Sequence, residues 1–340
     1  MLRGPGLENG ADVATTYPGS GTGITKMMIT LTRNCLAWFF SSILILCGFV
    51  DRAKKRALRG DYILSIYFHN PSRKEFEKCI KWLLKNNFTF LNEYQLGEIA
   101  EGRMPFPKGA VFLSVDDGWL SNELNVVEVA KKYRVPVTIF VSTEPVEEGA
   151  YWWTYINEAK KNDREVPKKN SLKKIPNEQR LALINRLKEE VVVDREALNI
   201  EQVRKISRTE EITIGGHTHT HPILPNCDEE TVYRELTDSR KRLETWTGTA
   251  VTSFAYPNGD FGNREKAILR KLGYKLAFTN QPKYLTKKVL DDPYVIPRFG
   301  FLEGASFAEN ICRMVGLWQP IMRKSTYRLK SRKIIQTTPG

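Results

Sequence analysis

Short apolar segments alternate along this chain with longer segments whose apolar residues recur at helical spacing. The short segments are rich in β-branched and aromatic residues, which is typical of buried strands. Such alternation predicts the α/β class, in which helices join parallel strands in a barrel or an open sheet. The predicted strands are Tyr62–Phe68, Val111–Val115, Val137–Val141, Glu211–Ile214, Val251–Phe254, Leu276–Phe278 and Tyr294–Ile296.

Between these strands, several segments predict amphipathic helices. Phe76, Ile80 and Leu83 share one helix face, and Ser72 can cap the amino end of that helix. A long, lysine-rich and helix-prone insertion fills residues 151–207. Two further helices are predicted, one through Leu124, Val127 and Ala130 and one through Val232, Leu236, Leu243 and Trp246.

The amino-terminal 60 residues differ from the rest of the chain. Residues 1–26 contain Gly, Pro and Thr without periodicity, which predicts disorder. Residues 35–50 then run for sixteen positions without a charge, slightly short of the roughly 17 to 25 residues of a spanning helix. We expect an uncleaved membrane anchor here, with a buried soluble helix as the alternative. Basic residues are denser after this segment than before it, which places the folded part on the cytoplasmic face of the membrane.

The net charge of +13 indicates an acidic partner, such as nucleic acid, anionic lipid or an anionic glycan. The basic clusters lack interleaved aromatic residues and no nucleic-acid motif occurs, so we do not expect nucleic acid. The tail, residues 316–340, is basic; it could rest on anionic lipid or be a solvated terminus. The five cysteines show no CxxC spacing, so neither a disulfide framework nor a zinc ribbon is predicted.

Candidate polar residues follow the predicted strands. In an α/β barrel the carboxyl ends of the strands converge on one rim, where active sites are built. Each residue alone has a simpler explanation, because a strand-end Asp often caps a helix and a surface His is often only solvated. Their shared placement predicts a site. These residues are His69, Asp116, Asp117, the run from His217 to His221, Asn258 and Arg298.

Three of the four histidines lie within His217–His221. An extended backbone would put all three imidazoles on one face, whereas a turn would bring His217 and His221 together and leave His219 pointing away. Gly215-Gly216 before the run and Pro222 after it favour the turn. Two histidines and one aspartate can bind zinc or a similar ion and leave a position open for water. Of the adjacent aspartates, one can bind the metal while its neighbour acts as a base.

Together these motifs resemble polysaccharide deacetylases with the NodB homology domain, carbohydrate esterase family 4. Leu113–Gly118 matches the first family motif, which ends in DDG, and His217–Pro222 matches the second, H-[ST]-x-x-H-P. Phe254–Gly259 matches the F-A-Y-P-x-G form of the third motif, and Pro297–Phe299 resembles the late arginine motif of that branch. The resemblance covers roughly residues 61–310, within a predicted domain of residues 61–315, and implies a distorted (β/α) barrel.

The resemblance also implies roles for site residues. Asp117, His217 and His221 would hold one divalent metal ion, with zinc expected, and Asp116 would be the general base. The backbone N–H of Asn258 would stabilise the oxyanion, and Arg298 would hold Asp116 by a charge-assisted hydrogen bond. The implied reaction is hydrolysis of an N-acetyl group by water activated at the metal.

The chain departs from the family pattern in two places. Ala255 and Asn258 stand where the third motif more commonly has Arg and Tyr. No histidine follows His221, so the late leucine-x-histidine motif that supplies the usual general acid is absent. His69 is the only other histidine on the predicted rim, and we expect it to be the proton donor. A structural role for His69 is the alternative.

The resemblance implies an N-acetylated sugar of a bacterial surface glycan, or its lipid-linked precursor, as the substrate. Removal of a formyl group from a polyprenyl-linked sugar is a second possibility, and a non-catalytic glycan-binding domain is a third. The insertion 151–207 would be a lid or a specificity element. Four aromatic residues could stack on sugar rings or belong to the core: Trp119, Tyr151, Trp152 and Trp153.

Overall fold

The computed structural model describes residues 23–318. The predicted disorder of residues 1–22 and the predicted lipid contact of the tail from residue 319 lie outside the described residues. Within them, eight strands form a single sheet. The strands are β1 (Leu64–Phe68), β2 (Thr89–Leu91), β3 (Ala110–Val115), β4 (Val137–Val141), β5 (Ile212–Gly216), β6 (Ser253–Ala255), β7 (Leu276–Phe278) and β8 (Phe299–Gly300).

Every strand pair in the described part of the chain is parallel. The strand order is β7-β6-β5-β4-β3-β1-β8, with the short β2 paired to the beginning of β3. Sequential strands joined by helices produce this order, and the sheet curls into a distorted (β/α) barrel. The predicted fold class is confirmed.

The last strand of the sheet is β8, which lies later in the chain than the predicted strand Tyr294–Ile296. Tyr294–Ile296 is not a strand, because only Ile296 forms an isolated bridge, to Phe278 of β7. Pro297 follows and lacks the N–H needed to continue the pairing. The chain then crosses to the other end of the sheet, where β8 pairs with β1. One short segment therefore contacts both ends of the sheet. The three-residue β2 was not predicted.

Fourteen α-helices surround this sheet among residues 23–318. They are α1 (Gly23–Leu46), α2 (Phe49–Arg59), α3 (Arg73–Lys85), α4 (Glu93–Ala100), α5 (Glu128–Tyr133), α6 (Thr143–Glu148), α7 (Trp152–Lys161), α8 (Lys169–Leu172), α9 (Asn177–Glu190), α10 (Ile200–Ile206), α11 (Glu229–Thr247), α12 (Asn263–Lys271), α13 (Lys287–Leu290) and α14 (Phe307–Met314).

Local sequence explains where α3 begins. The Ser72 side chain accepts a hydrogen bond from the Glu75 N–H, and the Glu75 carboxylate accepts one from the Ser72 N–H. This capping box satisfies two donors that a helix start otherwise leaves free, and it confirms the predicted cap. The helix predicted through Leu124 is also present, although its first part, Glu123–Val127, is π-helical.

Alternate residues of the strands pack on opposite faces of the sheet. Val111, Leu113 and Val115 of β3 pack with the surrounding helices. Phe112, from the same strand, points to the other face, where its ring stacks on Phe278 with centroids 5.0 Å apart. The curled sheet therefore encloses a packed aromatic core beneath the rim at its carboxyl ends.

The insertion after β4 contains the four helices from α7 to α10 and has a small core of its own, which includes Trp152, Ile156, Ile184 and Leu187. At the amino end, Ala37 of α1 packs with Cys312 and Val315 from α14 and the turn that follows it. No helix among the described residues is by itself long and apolar enough to cross a bilayer. Only residues 31–46 and α2 together satisfy that test, as a pair bent by 63°. The division into leader, domain and tail stays a prediction.

Candidate active site

One cavity of about 270 Å³ contains all seven residues for which the sequence predicts a role. Most of them follow a strand of the curled sheet, as expected for the rim of a barrel. His219 does not line this cavity; its Nδ1 lies 2.8 Å from the Thr143 hydroxyl. The seven residues are His69, Asp116, Asp117, His217, His221, Asn258 and Arg298.

The turn in the histidine run explains this separation. Thr218 and His221 both have positive φ, 68° and 51°, so the run is not extended. The buried carboxylate of Glu235 accepts hydrogen bonds from the N–H groups of His219 and Thr220, each at 2.8 Å. Of the two backbone geometries that the sequence left open, the structure has the turn.

Asp117, His217 and His221 bring three ligand atoms together. Asp117 Oδ1 lies 3.3 Å from Nε2 of His217 and 3.4 Å from Nε2 of His221. Ligands about 2.1 Å from a tetrahedral zinc ion lie about 3.4 Å from one another. These residues therefore fit a divalent ion with three protein ligands.

Neighbouring groups orient two of the three ligands, His217 and Asp117. Nδ1 of His217 donates to the Ala255 carbonyl at 2.7 Å, which leaves Nε2 free for a metal. The indole N–H of Trp119 donates to Oδ2 of Asp117 at 3.0 Å, which fixes the carboxylate. The Nδ1 atom of His221 is buried without a hydrogen-bond partner among the described residues.

The Phe140 ring lies close to the backbone of Gly215, two residues before His217. A Cβ atom on Gly215 would lie 2.5 Å from the Phe140 ring, so only glycine fits at this position of β5. This allows β5 to pack tightly against β4 immediately before the first histidine ligand.

Charge in the cavity suits cation binding. Burial acts to raise the pKa of Asp117, but hydrogen bonds with His217 and His221 outweigh it and hold that pKa well below its usual range. Burial lowers the pKa of His221 to about 4, although Asp117 opposes the shift. The carboxylate is therefore ionised and His221 is neutral near pH 7, the forms that bind a metal.

Asp116 points to a different partner from its neighbour. Both of its carboxylate oxygens accept hydrogen bonds from Arg298, each at 2.7 Å. Arg298 is 1% exposed and also donates to the Thr279 carbonyl and the Ser114 hydroxyl. Its guanidinium carbon lies 4.6 Å from the centre of the Tyr67 ring. The sequence placed Arg298 after a strand, whereas it precedes β8 and reaches Asp116 from inside the barrel.

His69 and Asn258 complete the predicted set. The backbone N–H of His69 donates to Oε1 of Glu303 at 2.9 Å. Desolvation acts to lower the pKa of His69, but the charges of Asp117 and Glu303 outweigh it and raise that pKa. Asn258 has φ of 60°, and the Asn280 amide donates to its carbonyl at 2.6 Å, which fixes the loop after β6.

The insertion contributes cavity residues to which the sequence assigned no role. Lys169 and Lys173 line the cavity. Of the four aromatic residues considered for sugar stacking, Trp152 and Trp153 line it, whereas Tyr151 is fully buried and its ring stacks 4.6 Å from Trp153. Trp119 instead orients Asp117.

Comparison with known proteins identifies the family. Residues 103–277 match the family model described as polysaccharide deacetylase. This span covers half of the chain and includes the first three motifs. The chain belongs to the polysaccharide deacetylase family.

Individual relatives of this deacetylase agree with that assignment. It is 24% identical over 244 residues to poly-beta-1,6-N-acetyl-D-glucosamine N-deacetylase of Staphylococcus aureus, covering 68% of this chain and 67% of the relative. Its fold resembles that of the Streptococcus pyogenes deacetylase PplD (TM-score 0.55, 16% identity, 75% of this chain and 97% of that one). It also resembles IcaB from Ammonifex degensii (TM-score 0.55, 19% identity, 76% and 98%).

Family membership confirms the resemblance seen in the motifs and the predicted enzyme class. Polysaccharide deacetylases are hydrolases that act on carbon–nitrogen bonds other than peptide bonds. Assignment to the branch with the F-A-Y-P-x-G motif stays a prediction, and so do the roles of individual site residues.

Proposed function

We propose that this deacetylase is a zinc-dependent enzyme that removes N-acetyl groups from an amino sugar of a bacterial surface polysaccharide or of its lipid-linked precursor. The observation that carries this proposal is the meeting of Asp117, His217 and His221 beside the Asp116–Arg298 pair in one cavity. The relative from S. aureus, named for an N-acetylglucosamine polymer, supports the acetyl group and the sugar class.

The cavity residues divide the reaction between them. A divalent ion held by Asp117, His217 and His221 would polarise the acetyl carbonyl and lower the pKa of water. Asp116 accepts the proton of the attacking water, and its bidentate bond with Arg298 keeps it oriented for that step. The backbone N–H of Asn258 stabilises the negative charge that develops on the carbonyl oxygen.

Cleavage of the carbon–nitrogen bond requires a proton for the departing amine. We assign this proton to His69, because it is the one cavity-lining histidine in the described part of the chain that is not a predicted metal ligand. The products are acetate and a free amino sugar. The oxygen added to the acetyl carbon comes from water, so no further reactant is needed.

One assay tests this function. Acetate and formate release are measured from N-acetylated and N-formylated oligosaccharides and from polyprenyl-linked sugars, before and after chelation and zinc add-back. We expect acetate release that chelator abolishes and zinc restores. Release of formate without acetate would show that the enzyme removes formyl groups and not acetyl groups. If the protein binds zinc stoichiometrically but releases neither acetate nor formate from any of these substrates, the proposal that it is an enzyme is wrong.

We also propose that the domain works at an anionic membrane surface. Arg33 of α1 forms an ion pair with the buried Glu309 of α14, and Ala37 of α1 is buried, so one stripe of α1 is attached to the domain. From residue 31 onward, the other faces of the helix present large apolar side chains to solvent. These are Leu31, Leu36, Trp38, Phe39, Phe40, Ile43 and Leu46, between 40% and 86% exposed.

An apolar face of this size favours lipid as its partner. The next helix, α2, adds exposed basic residues, Arg52, Lys55, Arg56 and Arg59, which favour anionic headgroups. Because α1 is attached to α14, we infer that it lies along the membrane interface and does not cross it. The cytoplasmic face stays the preferred side, because the anionic lipids of that leaflet attract the basic residues of α2.

A further inference from the structure

Lys169 and Lys173 stand out among the residues of the active-site cavity, because they bring positive charge from the insertion to the deacetylation site. They lie four residues apart at α8, so their side chains share one face of that helical turn. Lys173 donates to Oδ1 of Asn258 at 2.6 Å. This bond connects the insertion to the loop after β6.

Neither ammonium group has an acidic partner in the described part of the chain. Among residues 23–318, no carboxylate oxygen lies within ion-pairing distance of Lys169 or Lys173. Burial lowers the pKa of Lys169, and the charges of Lys160 and Lys173 lower it further, while Glu196 opposes the shift. Of the carboxylates that line the cavity, Asp116 is paired with Arg298 and Asp117 lies between the two histidines.

Such a pair is costly unless a ligand neutralises it. Two partly buried like charges repel each other, and each loses hydration without gaining a counter-charge. A lysine ammonium binds phosphate oxygens as a compact point charge, without the bidentate geometry that arginine offers to carboxylates and phosphates. Two such charges side by side favour a group that carries negative charge on several oxygens, such as a phosphate.

We propose that Lys169 and Lys173 form a subsite for a phosphate or phosphodiester carried by the sugar that is deacetylated. The inference rests on the proposed function and narrows its substrate to a phosphate-bearing N-acetyl sugar. A lipid-linked sugar carries such a diester beside the sugar ring, and the exposed apolar face of α1 is consistent with a substrate held at a membrane.

The test compares three substrates with one sugar: methyl N-acetylglucosaminide, N-acetylglucosamine 1-phosphate and a short prenyl phosphodiester of N-acetylglucosamine. We expect kcat/KM about 10- to 100-fold higher for the phosphate-bearing substrates, mainly through KM. A preference for the diester over the monoester indicates a lipid-linked substrate, and the reverse indicates a soluble sugar phosphate. Equal kcat/KM for all three substrates overturns the subsite.

Two double variants test whether Lys169 and Lys173 cause the preference for phosphate-bearing substrates. In the double variant Lys169→Gln/Lys173→Gln, the preference for phosphate is lost because kcat/KM falls further for the phosphate-bearing substrates than for the neutral one. The matched control is Lys168→Gln/Lys174→Gln, which removes the same charge from exposed neighbours. The control should keep the wild-type preference. Equal loss in both double variants would assign the effect to overall charge and overturn the subsite.

A binding measurement separates failure of this inference from failure of the proposed function. If zinc-loaded protein releases no acyl group from any substrate, the enzymatic proposal is wrong. The subsite is then tested by calorimetric titration with N-acetylglucosamine 1-phosphate. Weaker binding in Lys169→Gln/Lys173→Gln than in the Lys168→Gln/Lys174→Gln control supports it, and equal binding in the two overturns it.

Discussion

The guanidinium of Arg180 lies 3.4 Å from the carbonyl oxygen of His221, so a helix of the insertion contacts the backbone of a predicted metal ligand. Arg180 is 1% exposed and also reaches the carbonyl and hydroxyl oxygens of Thr220. The same group lies over the ring of Trp152, 5.3 Å from its centre. The insertion therefore supports both the histidine turn and the wall of the cavity.

Replacing Arg180 by Met should weaken zinc binding. The variant removes the hydrogen bonds to Thr220 and His221 while keeping an apolar side chain against Trp152. Loss of groups that orient metal ligands typically costs about 10- to 100-fold in metal affinity, and we expect a loss of this size. Competition with a chromophoric chelator measures it.

The same helix offers a matched control for this change. Arg186 also lies on α9, but its side chain is 62% exposed and, among residues 23–318, pairs only with Glu190. Arg186→Met should bind zinc as the wild type does. Circular dichroism establishes that both variants are folded. A folded Arg180→Met protein with unchanged zinc affinity would show that Arg180 does not support the ligand turn.

The adjacent aspartates should respond differently to loss of charge. Asp116→Asn should keep zinc and lose about 10²- to 10⁴-fold in kcat, because it removes the base but none of the ligands. Asp117→Asn and His217→Ala should lose zinc and activity together. Metal content by elemental analysis and acetate release are measured on the same preparations.

Asp116→Asn also leaves Arg298 buried with a weaker partner, so its melting temperature must be measured. Asn keeps one acceptor oxygen for the guanidinium, and we expect a folded protein. The division of roles is wrong if Asp116→Asn loses zinc, or if Asp117→Asn retains it in full.

The pH dependence of kcat should report His69. Its protonated form is the donor, so activity should fall as pH rises through its pKa. Desolvation acts to lower that pKa, whereas Asp117, Glu303 and Asp116 raise it and Arg298 opposes them. In Glu303→Gln one of these negative charges is removed, while the side-chain oxygen that accepts from the backbone N–H of His69 remains. The fall in activity should therefore move to lower pH, which a kcat profile measures.

His69→Gln provides the control for this assignment. It cannot donate a proton in this pH range, so the fall in activity at high pH should disappear and kcat should be low throughout. If His69→Gln retains both the wild-type kcat and the same fall, the proton comes from another group and His69 is structural.

Much of the site could be predicted because it depends on local rules. Buried apolar runs predict parallel strands, and the residues that follow them meet at one rim, which placed Asp117 beside the histidines. Gly215 and Pro222 predicted the turn at His217–His221, which the structure shows. Arg298 was assigned to the site by its motif, although the strand predicted before it is absent.

Contacts between distant segments were harder to predict. Arg180 precedes Ile184 by four residues and Leu187 by seven, so all three lie on the buried face of α9. A charged residue at an apolar position of this helix was the one sequence feature that could have indicated a role for Arg180. Its partners in the histidine turn, Thr220 and His221, follow 40 and 41 residues later in the chain, and no periodicity specifies such a pairing. Lys169 likewise reaches the cavity only because the insertion folds back over the rim.

The exposed face of α1 should bind anionic vesicles. Replacing Trp38, Phe39 and Phe40 by Ser removes three side chains that are 53% to 56% exposed. Burial of such a side chain contributes roughly 2 kcal/mol, so the triple variant should lose at least about 100-fold in affinity for phosphatidylglycerol vesicles. Sedimentation with vesicles of graded charge and salt measures this loss, and the basic side chains of α2 should make binding weaker at high salt.

The control for α1 uses apolar residues exposed elsewhere. Tyr94 and Leu124 are 72% and 64% exposed and lie on other helical segments, so Tyr94→Ser/Leu124→Ser should bind vesicles normally. Equal binding to neutral and anionic vesicles would exclude the role of the basic residues. The membrane proposal is wrong if the wild-type protein does not bind vesicles but self-associates, while the triple variant is monomeric. The exposed face of α1 then binds a second copy of the chain.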